Sequence, residues 1–291
     1  MQVLDKDLSD NTTREKQLDK ILEFKDLVPI CKEEYIKVPL DVDWNELEKD
    51  VPLAFEKFGW YGMIHRSMTT WDRSPYYGGL GLTFNPDYLF DIPKHAQGYG
   101  QPRSTQKQDD AEAWVRSLDK ADYKEHGGND LPRGKNTYDD CLGLRERTEA
   151  SYFRSFNTIF DKLKVDTVQG RIAEVRAGDL GDHPNKEFIW HRDEKNIFVS
   201  RLLIPLVYSE DYFIEFKDTG TKFYFEPGYA YHFNTYNIHR WNFNYHKNIK
   251  NRTCMVLGFL PWLSYKDNVW STNEYFNKIH PTDMIKEGLV I

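Results

Sequence analysis

The chain has 291 residues, of which 40% are hydrophobic and 15% aromatic, so it is long and apolar enough for one large domain with a packed core. Its formal net charge of -7 argues against broad binding to nucleic acid, whose phosphate backbone requires a basic surface. The segment Met1–Lys20 is polar and charged, unlike a signal peptide, and no apolar run approaches the ~20 residues of a membrane span.

The first predicted elements are two helices in a mixed N-terminal region, residues 1–164. Asn11–Thr13 offers a cap for a helix that ends near Phe24, and Asp43 offers one for a helix over Trp44–Phe58. Apolar residues recur at helical spacing in both, which predicts one buried face for each helix.

Two strands are predicted next, at Gly59–His65 and Gly78–Phe84. The aromatic residues Trp71, Tyr76 and Tyr77 lie between these strands in the sequence. They either pack in the core or form one wall of a substrate pocket, and the sequence leaves both interpretations open.

A long insertion is predicted around residues 91–138, where the composition shifts to Gly, Pro, Gln, Asp and Lys and only Asp110–Leu118 has a helical pattern. Loops of this length in a compact domain are usually functional or disordered. The insertion is therefore either a lid over an active site or a solvated surface excursion. A helix from Arg147 to Leu163 is predicted after it, with Tyr152 and Phe156 on its apolar side.

The region 165–262 alternates short apolar strands with turns such as Pro227–Gly228, a pattern typical of a sandwich or barrel. The tail, residues 263–291, is polar with one short helical pattern, and we expect it to pack on the outside. The cysteines Cys31, Cys141 and Cys254 fit neither a disulfide framework nor a zinc site. Reduced thiols in a cytoplasmic protein are the expected state.

The tripeptide His191–Asp193 carries the first chemical signal. In a strand, side chains at i and i+2 point to the same face, so His191 and Asp193 present an imidazole and a carboxylate side by side. With a second imidazole, they form the two-histidine, one-carboxylate face of non-haem Fe(II) oxygenases. The spacing alone also fits an ordinary polar strand end.

His239 is the predicted second imidazole, because it follows two further strand-like runs. His232 and His246 compete with it. His232 lies between Tyr231 and Phe233, which favours a core position, and His246 lies in a polar turn.

Arg252 opens an apolar strand and is the predicted site for an anionic cosubstrate, since a guanidinium forms a bidentate pair with a carboxylate. Its alternative role is a salt bridge at a strand edge. Arg201 is a second candidate, with pairing to Glu215 or Asp211 as the alternative.

Taken in order, these motifs resemble the aspartyl/asparaginyl β-hydroxylase-like group of Fe(II)/2-oxoglutarate-dependent oxygenases, which includes hydroxylases of free amino acids such as proline. The resemblance covers about Arg171 to Trp262. The segments that carry it are Arg171–Gly178, His191–Asp193, Arg201–Leu206, Pro227–Gly228, Phe233–Asn234, His239 and Asn251–Arg252.

The resemblance implies a single domain, mainly β with flanking helices, whose catalytic core over 165–262 is a double-stranded β-helix (a jelly roll, cupin-like). It implies Fe(II) ligands at His191, Asp193 and His239, and 2-oxoglutarate at Arg252 and Arg201. Some relatives have a histidine where this chain has Leu203.

The implied reaction uses O2 and 2-oxoglutarate to hydroxylate an unactivated C–H bond, in a small-molecule or peptide substrate that is an amino acid or an amino-acid side chain. Asp193 favours hydroxylation over halogenation, because halogenating relatives lack this carboxylate. The alternatives are a cupin-type metal-dependent isomerase or ligand-binding module, neither of which needs Arg252, and an inactive oxygenase-like scaffold.

Further cationic and aromatic side chains flank the predicted centre and would suit an anionic group on the substrate. They are Arg171, Arg176, Trp190, Arg192, Arg240 and Trp241. Arg192 and Arg240 alternate with the predicted ligands, so their alternative orientation is outward.

Overall fold

Two antiparallel sheets that face each other form the centre of the fold. The structure is a computed structural model that describes residues 33–64, 73–86, 93–99, 144–177, 190, 199–207, 210–235, 237–244, 249–267, 269–276 and 278–290. The described strands are β1 Tyr35–Pro39, β2 Tyr61–Ile64, β3 Arg73–Gly81, β4 Thr83–Phe84, β5 Glu146–Arg147, β6 Thr167–Val175, β7 Ser200–Val207, β8 Tyr212–Phe216, β9 Lys222–Tyr224, β10 Tyr229–Phe233, β11 His239–Phe243, β12 Arg252–Phe259, β13 Leu263–Lys266 and β14 Val269–Thr272. The described helices are α1 Trp44–Phe58, α2 Arg154–Lys162 and α3 Pro281–Lys286, with 3-10 helices at Lys94–Tyr99 and Glu149–Tyr152.

The strand order is that of a jelly roll. The large sheet has the order β1-β10-β7-β12-β6-β3-β2, and the small sheet has the order β11-β8-β9. After β7 the chain crosses to the small sheet for β8 and β9, returns for β10, crosses again for β11 and returns for β12. This alternation between two facing antiparallel sheets confirms the predicted double-stranded β-helix.

Alternating residues of the central strand β12 supply two separate cores. Met255, Leu257 and Phe259 belong to the outer core, between the large sheet and the helices. Cys254 and Val256 belong to the inner core, between the two sheets. Because strand side chains alternate between faces, each central strand serves both cores.

The outer core is closed by helices and by the C-terminal segment. From α1 it receives Leu47, Val51 and Ala54, and from the C-terminal segment Met284 and Ile285. The short helix predicted for the tail is α3, and a β13–β14 hairpin precedes it that the sequence pattern did not predict.

The prediction for α1 is confirmed at both ends. The Asp43 side chain accepts hydrogen bonds from the backbone N–H groups of Asn45 at 3.0 Å and Glu46 at 3.1 Å. These bonds satisfy N–H groups that have no partner within the helix.

The strand predicted at Gly78–Phe84 begins earlier, at Arg73, and is interrupted at Leu82.

The continuous helix predicted from Arg147 to Leu163 is wrong. Phe153 has φ -53° and ψ 139°, an extended conformation that separates the 3-10 helix from α2. Arg147 explains the break, because its guanidinium donates to Ser151 Oγ at 3.0 Å and to the Ser151 carbonyl at 2.7 Å. Tyr152, predicted on the apolar side, is 62% exposed.

Several sequence predictions concern residues outside the described ranges. They are the helix ending near Phe24, the helix Asp110–Leu118, most of the insertion over 91–138, Trp71, Cys31 and Cys141. Among the residues that are described, no helix is both long and apolar enough to cross a membrane.

The outer core provides a matched pair of leucines for a stability test. We expect Leu257→Ala, in a side chain with no exposed surface, to lower the free energy of unfolding by about 2–5 kcal/mol, because it leaves a cavity in the outer core between the large sheet and the helices. The same change at Leu53, which is 50% exposed on α1, should cost less than ~1 kcal/mol. Denaturant unfolding of both variants measures the difference, and equal losses would contradict this account of the core.

Candidate functional site

His239 is the first residue of β11, and its side chain points between the two sheets. His239, Trp241 and Phe243 lie on the same face of β11. Phe243 belongs to the inner core and Trp241 packs against it, and His239 itself is 3% exposed. Its Nδ1 lies 2.8 Å from the Asn237 carbonyl oxygen. Because a carbonyl only accepts hydrogen bonds, Nδ1 carries the proton and Nε2 keeps its lone pair. This is the tautomer of a histidine that binds a metal through Nε2.

Arg252 is the first residue of β12 and is 6% exposed on the inner face. Its guanidinium carbon lies 4.7 Å from the ring centre of Phe225 and 5.5 Å from that of Trp241. Its Nε is buried without a hydrogen-bond partner. Within the described part of the chain, Arg252 forms no ion pair, so the salt bridge considered from the sequence is absent among those residues.

A buried guanidinium without an anion is costly, since burial removes the water that solvates its charge. Aromatic faces compensate part of this cost through cation–π attraction but do not accept the N–H hydrogen bonds in the plane of the group. Arg252 is therefore suited to receive a carboxylate from a ligand.

Two neighbouring groups respond to the charge of Arg252. Burial raises the pKa of the Tyr212 hydroxyl, and the positive charge of Arg252 opposes that rise. Burial likewise raises the pKa of the Cys254 thiol, and Arg252 and Arg171 both oppose it. The inner face around Cys254 thus carries a positive electrostatic potential, which favours anions.

Arg201 lies at the opposite end of the β7–β12 ladder from Arg252. It pairs in register with Gly258, near the end of β12, whereas Arg252 begins that strand. Its Nη2 donates to Gln169 Oε1 at 3.2 Å, and Arg201 is 8% exposed. Its role as a second contact for the cosubstrate stays a prediction.

Two of the flanking arginines point away from the interior. Arg240 pairs with Glu215, through Nε at 3.0 Å and Nη2 at 2.9 Å, and its guanidinium lies 4.2 Å from the Trp190 ring centre. Arg176 pairs with Glu174 at 2.9 Å. Both have carboxylate partners, as the outward alternative for Arg240 requires.

His232, the competitor of His239, lies in the outer core. It is fully buried on β10, with its ring centre 5.5 Å from that of Phe259. Its neighbour Tyr231 belongs to the inner core, so alternation directs His232 to the other face of the sheet. His232 does not share the interior with His239.

The aromatic residues near β3 divide between the two interpretations. Tyr76 is 5% exposed and belongs to the inner core. Tyr77 is partly buried, and its ring centre lies 5.6 Å from that of Trp241, at the border of the Arg252 surroundings.

His191, Asp193, Arg192 and His246 lie outside the described residues. Within the described part of the chain no group of three or more histidine, cysteine or carboxylate side chains is placed to hold a metal ion. His239 is the one predicted ligand whose surroundings the structure describes.

Sequence reasoning missed the residues that support His239 and Arg252. The Asn237 carbonyl and the rings of Phe225 and Tyr212 had no signal in the sequence. A backbone carbonyl is common to every residue, and aromatic side chains in apolar strands fit an ordinary core equally well.

No protein-family model and no curated protein matches this chain. Among solved structures it is similar to AtDAO1, the dioxygenase for auxin oxidation 1 of Arabidopsis thaliana, in a binary complex with 2-oxoglutarate. The identity is 13% and the TM-score 0.31, over 84% of this chain and 87% of that one. It is also similar to a full-length Neurospora crassa protein in complex with alpha-KG, at 13% identity and a TM-score of 0.37, over 96% of this chain and 92% of that one. At this identity and these TM-scores, neither likeness decides the fold or the activity of this chain.

His232 generates a test of pH dependence. Burial, assisted by the charge of His280, lowers the pKa of His232 to about 3, whereas an unfolded histidine titrates near 6.5. Between these values the unfolded chain binds one more proton, so stability falls as the pH falls. Below pH ~6, the unfolding free energy of the parent should fall with falling pH more steeply than that of His232→Gln. The two slopes should differ by about 1.4 kcal/mol per pH unit. Parallel pH profiles of the two proteins, measured by denaturant unfolding, would contradict the assignment.

Proposed function

We propose that this chain is an Fe(II)- and 2-oxoglutarate-dependent dioxygenase that hydroxylates an unactivated C–H bond of an amino acid or an amino-acid side chain. The observation that carries the proposal is Arg252, a buried guanidinium on the inner face with no carboxylate partner among the described residues. The distal carboxylate of 2-oxoglutarate is the anion that would neutralise it.

Trp241 connects His239 and Arg252 within the inner core. His239 and Trp241 are neighbours on one face of β11, about 7 Å apart along the strand. The Trp241 ring lies against the guanidinium of Arg252. This arrangement supports one shared site for a metal ligand at His239 and a carboxylate-binding group at Arg252.

His191 and Asp193 are the other two proposed iron ligands. Their described neighbour is Trp190, whose ring lies against Arg240, the residue after His239. This contact brings the residue before His191 in the sequence next to the residue after His239. This supports a shared site for His191 and His239.

The proposed reaction converts substrate, O2 and 2-oxoglutarate into hydroxylated substrate, succinate and CO2. Iron, when bound, would bind the keto acid and O2 and supply the oxidising chemistry. Arg252 would orient the keto acid by its distal carboxylate, and Phe225 and Trp241 would hold the guanidinium in place. The apolar inner core would keep bulk water from the reacting groups.

A cupin-type isomerase or binding module is the weaker proposal. Such a protein does not require a buried, unneutralised arginine on the inner face, so this proposal leaves the energetic cost of burying Arg252 unexplained. Arg201 remains a candidate second contact for the keto acid. Its hydrogen bond to Gln169 holds it at the opposite end of the ladder.

The proposal predicts a visible iron-to-keto-acid charge-transfer band when Fe(II) and 2-oxoglutarate are added anaerobically to the metal-free protein. His191→Ala, Asp193→Ala and His239→Ala should abolish or strongly weaken the band, because each removes an iron ligand. Arg252→Ala should keep iron binding but raise the Kd for 2-oxoglutarate by about tenfold to a hundredfold, the value of a charge-assisted hydrogen-bonded pair.

Arg154→Ala is the control. Arg154 is an exposed arginine on α2 that pairs with Glu46 far from the inner face, so this variant should keep the parent band and affinity. Absence of a band in folded, iron-loaded parent protein would exclude the oxygenase proposal and favour the binding module.

A further inference from the structure

Arg171 is a second arginine on the inner face, distinct from the proposed cosubstrate site. On β6 it lies on the same face as Ala173 and Val175, both of the inner core, whereas Ile172 lies on the other face and belongs to the outer core. It pairs in register with Val256 on β12 and with Gly81 on β3. Its effect on the pKa of the buried Cys254 thiol places its charge on the same side.

Arg171 differs from the other flanking arginines in its electrostatic surroundings. Arg176 and Arg240 each have a carboxylate partner at 2.9 Å. Arg171 forms no ion pair within the ranges that the structure describes, and it is partly exposed. Its in-register neighbours, Val256 and Gly81, offer no side-chain acceptor.

The strand neighbours of Arg171 provide no acceptor for its guanidinium. Gly81 contributes no side chain, and the His95 carbonyl oxygen lies 3.1 Å from where a Cβ of Gly81 would stand, so the 3-10 helix Lys94–Tyr99 covers the β3 side. Leu203, the neighbour of Val256 on β7, is apolar, and the polar side chains of the row, Tyr231 and Lys37, follow only beyond it. A partly exposed guanidinium in this setting is available to an anion from a ligand.

Arg171 and Arg252 start from different levels of the large sheet. Arg252 pairs with Val175, and Val175 lies four residues from Arg171 on β6, about 13 Å along the strand. This backbone separation favours two separate anionic groups, one at each arginine.

We infer that Arg171 binds a carboxylate of the substrate, the α-carboxylate of a free amino acid. A guanidinium fork pairs with a carboxylate through two parallel hydrogen bonds and so fixes the orientation of the substrate as well as its charge. The inference rests on the proposed function and narrows it, because a peptide with no free carboxylate at that position would not satisfy Arg171.

The test uses the Fe(II)- and 2-oxoglutarate-loaded protein and, as probes, the common L-amino acids and their carboxamides. Binding is measured anaerobically as a change in the charge-transfer band, and turnover is measured aerobically as succinate formation above the level without probe. At least one free acid should act in both measurements, and its carboxamide should be weaker by about tenfold or more.

In Arg171→Gln the Kd for that acid should rise about tenfold to a hundredfold while the Kd for 2-oxoglutarate stays unchanged. Arg171→Lys should restore part of the affinity, because it keeps the charge without the fork. Arg154→Gln is the control and should match the parent, since Arg154 is exposed on α2 and paired with Glu46.

Three results would overturn the inference. In the first, the acids and their carboxamides act equally, and in the second, no acid acts. In the third, Arg171→Gln raises the Kd for 2-oxoglutarate itself by tenfold or more, which would assign Arg171 to the cosubstrate. Each of these requires a parent band with 2-oxoglutarate. Its absence would instead mean that the proposed function fails. Thermal unfolding of both Arg171 variants separates a binding effect from loss of fold.

Discussion

The positive charge of Arg252, enclosed between two apolar sheets, is the constraint on which the proposed chemistry depends. The side chain is 6% exposed, lies against two aromatic rings, and has a buried Nε without a partner. A protein core rarely holds an arginine in this state, because desolvation of the charge costs several kcal/mol unless an anion compensates it. We propose that a ligand supplies the missing anion.

The jelly roll gives this charge its neighbours. β11 lies in the small sheet and β12 in the large sheet, and each begins with one of the two side chains, His239 and Arg252. Because the sheets face each other, both side chains point into the same inner core although they come from different sheets. Trp241 lies between them, since it shares a strand face with His239 and a ring contact with Arg252.

The arginines differ in whether a carboxylate of the protein neutralises their charge. Arg240 and Arg176 end at carboxylates, and we assign them to structure. Arg252 and Arg171 point inward at different levels of the same sheet and have no such partner among the described residues. Arg201 also faces the inner side, but it donates to Gln169. Arg252 and Arg171, whose backbone positions are about 13 Å apart along the sheet, suit two separate anionic groups, a cosubstrate and a substrate, better than one. The negative net charge of the whole chain is a sum over all residues, so it does not reveal these positive charges on the inner face.

The sequence by itself determined the alternation of short strands, the position of Arg252 at a strand start, and the Asp43 cap of α1, because these depend on local geometry with periods of two and 3.6 residues. Tertiary structure decided which arginines are neutralised: Glu215 reaches Arg240 from 25 residues away, and no local pattern encodes that pairing. It also decided the start of α2 after the break at Phe153, because Asp50 of α1 accepts hydrogen bonds from the backbone N–H and the hydroxyl of Ser155. Local periodicity fixes which face a side chain takes, whereas its partner is set by strands that are distant in the sequence and adjacent only in the folded sheet.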